Sequence, residues 1–180
     1  MNRKIDVVFV RSNLSRDHAR LLKAFEMEED PSNDRPRRPL DGIRITELRG
    51  AAVGYWAGWT FVIHSHAAFS LVPSAIDAEF SDTARRLTEL SDEAFALWTM
   101  PTSQASGFAL LRRGGWARVR RFENNEVVAD GGRPLPFELR DEGDIDFEGW
   151  PRAASKALLG VDVVHLLDNH ILSATIHAPW

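Results

Sequence analysis

Apolar positions recur along this chain in two rhythms. Ile5 to Val10 is a compact β-branched and aromatic run that reads as a strand, and alternation, the period of a strand, marks Ile43 to Leu48, Trp59 to Ile63 and much of Glu93 to Phe137. Helical spacing marks three other stretches. His18, Leu21, Leu22 and Phe25 follow Ser15, which predicts a helix from Ser15 to about Glu28. Ala84, Leu87 and Leu90 follow Ser81, a second N-cap, and a turn of helix is expected before it over Ser74 to Phe80. Trp150-Pro151 opens a third helix that carries Ala154, Ala157, Leu158 and Leu159 and stops at Gly160. Asp162 caps a short helix over Val163 to Leu167, and Ile171 to His177 reads as a closing strand. The segment from Trp59 to Ile63 is apolar on both sides, as a central strand would be.

The stretch from Glu93 to Phe137 organises these elements. Its middle, FALLRR-GG-WARVRRF, reads as two strands joined at Gly114-Gly115. With both glycines in the turn, Arg113 faces Trp116 and Leu110 faces Val119. Phe108, Leu110, Ala117 and Val119 then form the core side, while Leu111, Arg113, Trp116, Arg118, Arg120 and Phe122 emerge opposite. The expected fold is one α+β domain over 1–180, with a mainly antiparallel sheet, a Gly-turn β-meander and helices packed on one face. The Pro-rich, charged residues 29–41 are expected to form a mobile surface loop.

Composition narrows the chemistry more than it names it. Cysteine is absent, which rules out a disulfide framework, thiolate metal sites and a cysteine nucleophile. No run is long and apolar enough for a signal peptide core or a membrane span, so the expectation is a cytoplasmic protein with no membrane partner. A net charge of -4 argues against a protein devoted to nucleic acid, whose affinity would rest on phosphate neutralisation. There is no Gly-x-Ser-x-Gly elbow, and the glycine pairs lie between strands instead of before a helix, where phosphate loops sit. The acids from Asp141 to Glu148 lack the glycine and glutamate spacing of a calcium loop.

Two candidate sites remain. Arg113, Trp116, Arg118 and Arg120 combine the residue types most enriched at binding hot spots. His64 and His66, on alternate positions about 7 Å apart, are the candidates for a metal site, although no third ligand follows from the spacing and two ordinary histidines at a strand end explain them as well. No metal or cofactor is assigned.

Several motifs in order resemble an uncharacterised family of small bacterial single-domain proteins, similar to immunity proteins in size and architecture. They are Phe9-Val10-Arg11 with Leu14-Ser15, Gly58-Trp59, Leu90-Ser91, Asp130-Gly131 with Phe137, and Ala157-Leu158-Leu159-Gly160-Val161. The resemblance carries no established activity. With no catalytic motif recognised and an arginine–aromatic face expected, the reading is a non-catalytic binding protein, monomeric or homodimeric, of the immunity or partner-neutralising kind found in bacterial toxin systems. The competing expectation is a small enzyme or ligand-binding domain with its site near His64 and His66.

Overall fold

The computed structural model describes residues 4–14, 16–27, 38–39, 50–73, 80–124, 126–139, 149–168 and 173–177. In these residues nine strands form one sheet: β1 (Ile5–Val10), β2 (Arg38–Pro39), β3 (Ala51–Trp56), β4 (Trp59–Ile63), β5 (Glu93–Met100), β6 (Ala105–Arg112), β7 (Gly115–Glu123), β8 (Glu126–Gly132) and β9 (Ser173–His177). Their order across the sheet is β2-β9-β3-β4-β1-β5-β6-β7-β8, and every pairing is antiparallel. This is an α+β arrangement built on an open, mainly antiparallel sheet. β1 lies near the middle, between β4 and β5, and all six of its residues are buried. The two-sided apolar reading of Trp59 to Ile63 matches β4, which is buried along its whole length between β3 and β1.

Four α-helices accompany the sheet: α1 (His18–Ala24), α2 (Asp82–Leu90), α3 (Gly149–Leu159) and α4 (Val163–Asp168). They do not share one face. Leu21 and Leu22 of α1 and Ala84 and Leu87 of α2 pack with Val8, Val62 and Ala96 on one side of the sheet. Trp150 and Ala154 of α3 and Val163, Leu166 and Leu167 of α4 pack with Phe9, Phe61, Phe95 and Phe108 on the other. The expectation of helices on a single face is therefore corrected. An apolar stripe shows that a helix must cover something, but the route of the chain decides which side it covers. Each fully buried Leu, Val or Phe in these layers contributes about 1.5–3 kcal/mol, so both helix layers are integral to stability.

Helix boundaries follow local caps. Ser81 accepts from the Ala84 N–H (3.2 Å), as expected. The first helix is shorter than the predicted Ser15–Glu28: Asp17 caps it by accepting from the Arg20 N–H (3.4 Å), and Glu26 at φ 61° ends it. Asp162 accepts from the Val164 N–H (2.9 Å) at the start of α4. Of the expected 29–41 loop, residues 38–39 pair with β9. The rest of that loop, the predicted strand over 43–48, the Ser15 cap and most of the expected turn over 74–80 lie outside the described residues.

Strands β5 to β8 pair in chain order, but the hairpin register differs from the sequence reading by one residue. The turn is Arg113-Gly114, with Gly114 at φ 91°, while Gly115 enters β7 and pairs with Arg112. Leu111 then opposes Trp116 and Leu110 opposes Arg118, which leaves Ala117 as the extra residue of a bulge. A single-residue slip moves every following side chain to the other face. Val119 accordingly joins Ala109 and Leu111 under α2, and Arg118 and Arg120 join Leu110 and Phe108 on the α3 side.

Candidate functional site

The four predicted binding residues are dispersed by that register. Arg113 sits at the turn, with its side chain 84% exposed and its guanidinium 3.3 Å from Asp92. Trp116 faces the α2 side, donates its indole N–H to the Leu71 carbonyl (3.3 Å) and meets Phe80 edge-on with ring centroids 5.1 Å apart. Arg120 lies 4.1 Å over the Trp150 ring and 5.4 Å from Phe122 on the opposite side of the sheet, with Asp130 at 3.6 Å. Arg118 is buried. The expected common surface of Arg113, Trp116, Arg118 and Arg120 is not formed, because the bulge at Ala117 and the displaced turn separate them.

Arg118 instead anchors a polar network inside the molecule. Its Nε donates to both carboxylate oxygens of Glu138 (3.0 and 2.8 Å), and its Nη1 donates to the Gly131 carbonyl (2.9 Å) and to Asp130. The side chains of Arg118 and Glu138 are each only 2% exposed. Glu138 also accepts from the Leu135 N–H (2.6 Å), so it ties the 133–139 turn to β7. Burial opposes the guanidinium charge, yet the bonds to Glu138 and Asp130 outweigh it and raise the Arg118 pKa. At Gly132, with φ 82°, an added Cβ would run into the Ala117 carbonyl, so the bulge and this network require glycine there.

The histidine pair occupies another edge of the molecule. Asp6, on β1, is buried and accepts from the backbone N–H groups of His66 and Ala68, both at 2.7 Å. Burial pushes its carboxyl up to about 6, against the pull of those two bonds. Lys4 donates to the Ser65 hydroxyl at 3.3 Å. His64 is half-buried and its pKa is lowered, first by burial and then by His66 and Lys4. His66 is exposed, at φ 72°, and meets Phe69 edge-on. Asp6 thus braces the turn after β4. Among the described residues no three His, Cys, Asp or Glu side chains are placed to hold a metal ion.

A different set of arginines is gathered in the open. Arg11 follows β1, Glu93 begins β5 and Arg112 ends β6, so neighbouring strands bring the three to one end of the sheet. Glu93 accepts from Arg11 Nη1 at 3.1 Å through one oxygen and from Arg112 Nε and Nη2 at 3.1 and 2.9 Å through the other. Its carboxylate is 14% exposed, whereas the two arginine side chains are 65% and 60% exposed. The Ser91 hydroxyl lies 2.9 Å from the Arg11 carbonyl and 3.0 Å from that of Glu93, which locks the two strand ends together. Ser12, Leu90 and Asp92 complete a solvent-open hollow of about 640 Å³ with these residues.

Aromatic side chains border the same end. The β3–β4 turn at Ala57-Gly58 sets Trp56 opposite Trp59, and the Arg11 guanidinium lies 5.6 Å over the Trp59 ring. Trp59 itself is buried, while Tyr55, on the other face of β3, is 39% exposed. Sequence reasoning passed over Arg11, Glu93 and Arg112. The available signals were an arginine directly after a buried strand, the Arg112-Arg113 pair leading into the turn, and four aromatic residues within five positions of Gly58.

No family model, curated protein or solved structure matches the chain. No helix among the described residues is long and apolar enough to cross a membrane.

Proposed function

We propose that this protein is a non-catalytic binding protein that neutralises a protein partner by occupying its surface, in the manner of an immunity protein of a bacterial toxin system. The supporting observation is the exposed end of the sheet where Glu93 holds Arg11 and Arg112 in place, with the Arg11 guanidinium over the buried Trp59 ring. Arginine and aromatic side chains dominate binding hot spots, and side chains held in position before contact lose less freedom on association. Of the four residues singled out from the sequence, this reading keeps Arg113, which is next to Arg112 and exposed at the turn, where it pairs with Asp92.

The immunity role rests on a likeness of size and architecture, and the contact surface rests on geometry. The test uses the product of the gene adjacent to this one in its genome. The two proteins are purified separately, mixed and measured by calorimetry, with the Arg11→Ala/Arg112→Ala/Arg113→Ala variant in parallel. The expected result is a complex that weakens at least tenfold in the variant while the melting temperature of the variant stays within a few degrees of the parent. A complex of equal affinity for both chains would remove this surface. No complex at all would remove the assignment of that product as the partner.

A further inference from the structure

From the geometry of the exposed arginine pair, we infer that Arg11, Glu93 and Arg112 form a receptor for a single carboxylate, supplied by an Asp or Glu side chain on an acidic segment of the protein partner. The inference rests on the partner-binding reading above and adds the chemistry that the site recognises.

Hydrogen-bond capacity comes first. A guanidinium carries five N–H donors in a fixed plane. Glu93 engages one nitrogen of Arg11 and two of Arg112. With the arginine side chains 65% and 60% exposed, the remaining donors border the open hollow. Glu93 therefore orients both guanidinium groups without exhausting them, and the Ser91 hydroxyl fixes the spacing of the strands that carry Arg11 and Glu93.

Charge then selects among anions. Arg11 and Arg112 contribute two positive charges and Glu93 one negative charge, while Arg113 and Asp92 balance one another at the rim. The local surplus is one positive charge. A carboxylate monoanion completes it, and its two oxygens suit the forked donors of guanidinium groups. A phosphate near neutral pH carries close to two negative charges, and it would meet the Glu93 carboxylate at short range. Nucleic acid would bring a row of such charges to a chain whose net charge is already -4.

The experiment follows the side-chain Nε–H resonances of Arg11 and Arg112 in the full chain by NMR. Three probes are added separately: a blocked eight-residue peptide alternating Glu and Gly, its counterpart with Gln for Glu, and inorganic phosphate. The Glu peptide should move both resonances and the Gln peptide should move neither. Arg11→Gln or Arg112→Gln should weaken the Glu peptide about fivefold, in the range of a single charge pair near a surface. Glu93→Gln, which raises the local surplus to two, should shift preference toward phosphate. The inference is overturned if the Gln peptide acts as strongly as the Glu peptide, if phosphate outcompetes the Glu peptide on the parent chain, or if no probe moves either resonance. The two arginine variants are also measured against the adjacent gene product. Unchanged affinity there, with a complex formed, overturns the carboxylate receptor and leaves partner binding standing. A selective peptide response without any such complex overturns only the assignment of that partner.

Discussion

Two arginine clusters of this protein use the same side chain in opposite ways. On β7, Arg118 is withdrawn from solvent and bonded to Glu138, Asp130 and the Gly131 carbonyl, with Arg120 stacked on Trp150 nearby. At the end of the sheet, Arg11 and Arg112 share one carboxylate but remain more than half exposed. The first cluster is bound up with folding, because removing either ion strands the other in a medium that cannot solvate it. The second is nearly free of stability consequences, because water screens its ion pairs and replaces them readily. Burial is what distinguishes an internal strut from a contact surface.

The sharpest way to break this comparison is to truncate the buried pair. Arg118→Ala and Glu138→Ala should each lower the unfolding free energy by about 3–5 kcal/mol in urea denaturation, since each leaves an uncompensated buried charge. A loss under about 1 kcal/mol for both would show that Arg118 reaches water after all, as the Gly114-Gly115 turn had implied.

Asp6 sharpens the comparison from the other direction, as a buried carboxylate held by two backbone N–H groups. Its native pKa of about 6 exceeds the ordinary value of 3.8, so the folded state binds the proton more tightly than the unfolded chain does. Its contribution is full below about pH 3.8 and is lost as pH rises through about 6. His64 acts with opposite sign, because its lowered pKa favours the neutral ring in the folded state and costs stability as pH falls. Comparing the parent with Asp6→Asn cancels the His64 contribution. Between pH 4 and pH 7 the parent should lose on the order of 2 kcal/mol relative to the variant. Parallel stability curves for the two chains would mean that Asp6 titrates at an ordinary pH.

Val119 tests the packing beneath the α2 layer. Val119→Ala should cost about 1–3 kcal/mol by chemical denaturation, through lost burial and a residual cavity beneath the α2 layer. A cost within about 0.3 kcal/mol would place Val119 on the solvent side, against its burial with Ala109 and Leu111. The smallest expected effect belongs to the exposed cluster, where Arg11→Ala and Arg112→Ala should each change stability by no more than about 0.5 kcal/mol, as surface substitutions do. A destabilisation above about 2 kcal/mol for either would make that end of the sheet structural and weaken its candidacy as a contact surface.

Much of the architecture was legible from periodicity. The strand over Ile5 to Val10, the doubly buried Trp59 to Ile63, the Ser81 cap and the helix opened at Trp150-Pro151 all follow from short-range patterns that the described structure reproduces. The candidate site was not legible in the same way. Arg11, Glu93 and Arg112 are far apart in sequence and meet because β1, β5 and β6 lie side by side. His64 and His66 stood out in sequence, yet the turn braced by Asp6 gives them different environments, one half-buried and the other exposed.

What the amino-acid order determined by itself is the set of elements, because alternation, helical spacing and caps act over a few residues and carry their own geometry. Which face of the sheet each helix covers, and which arginines reach water, were decided only by the tertiary structure. The bulge at Ala117 sets the face on which Arg118 and Arg120 lie: one unpaired residue in β7 exchanges the two faces for the positions after it, and alternation alone cannot show where that residue falls.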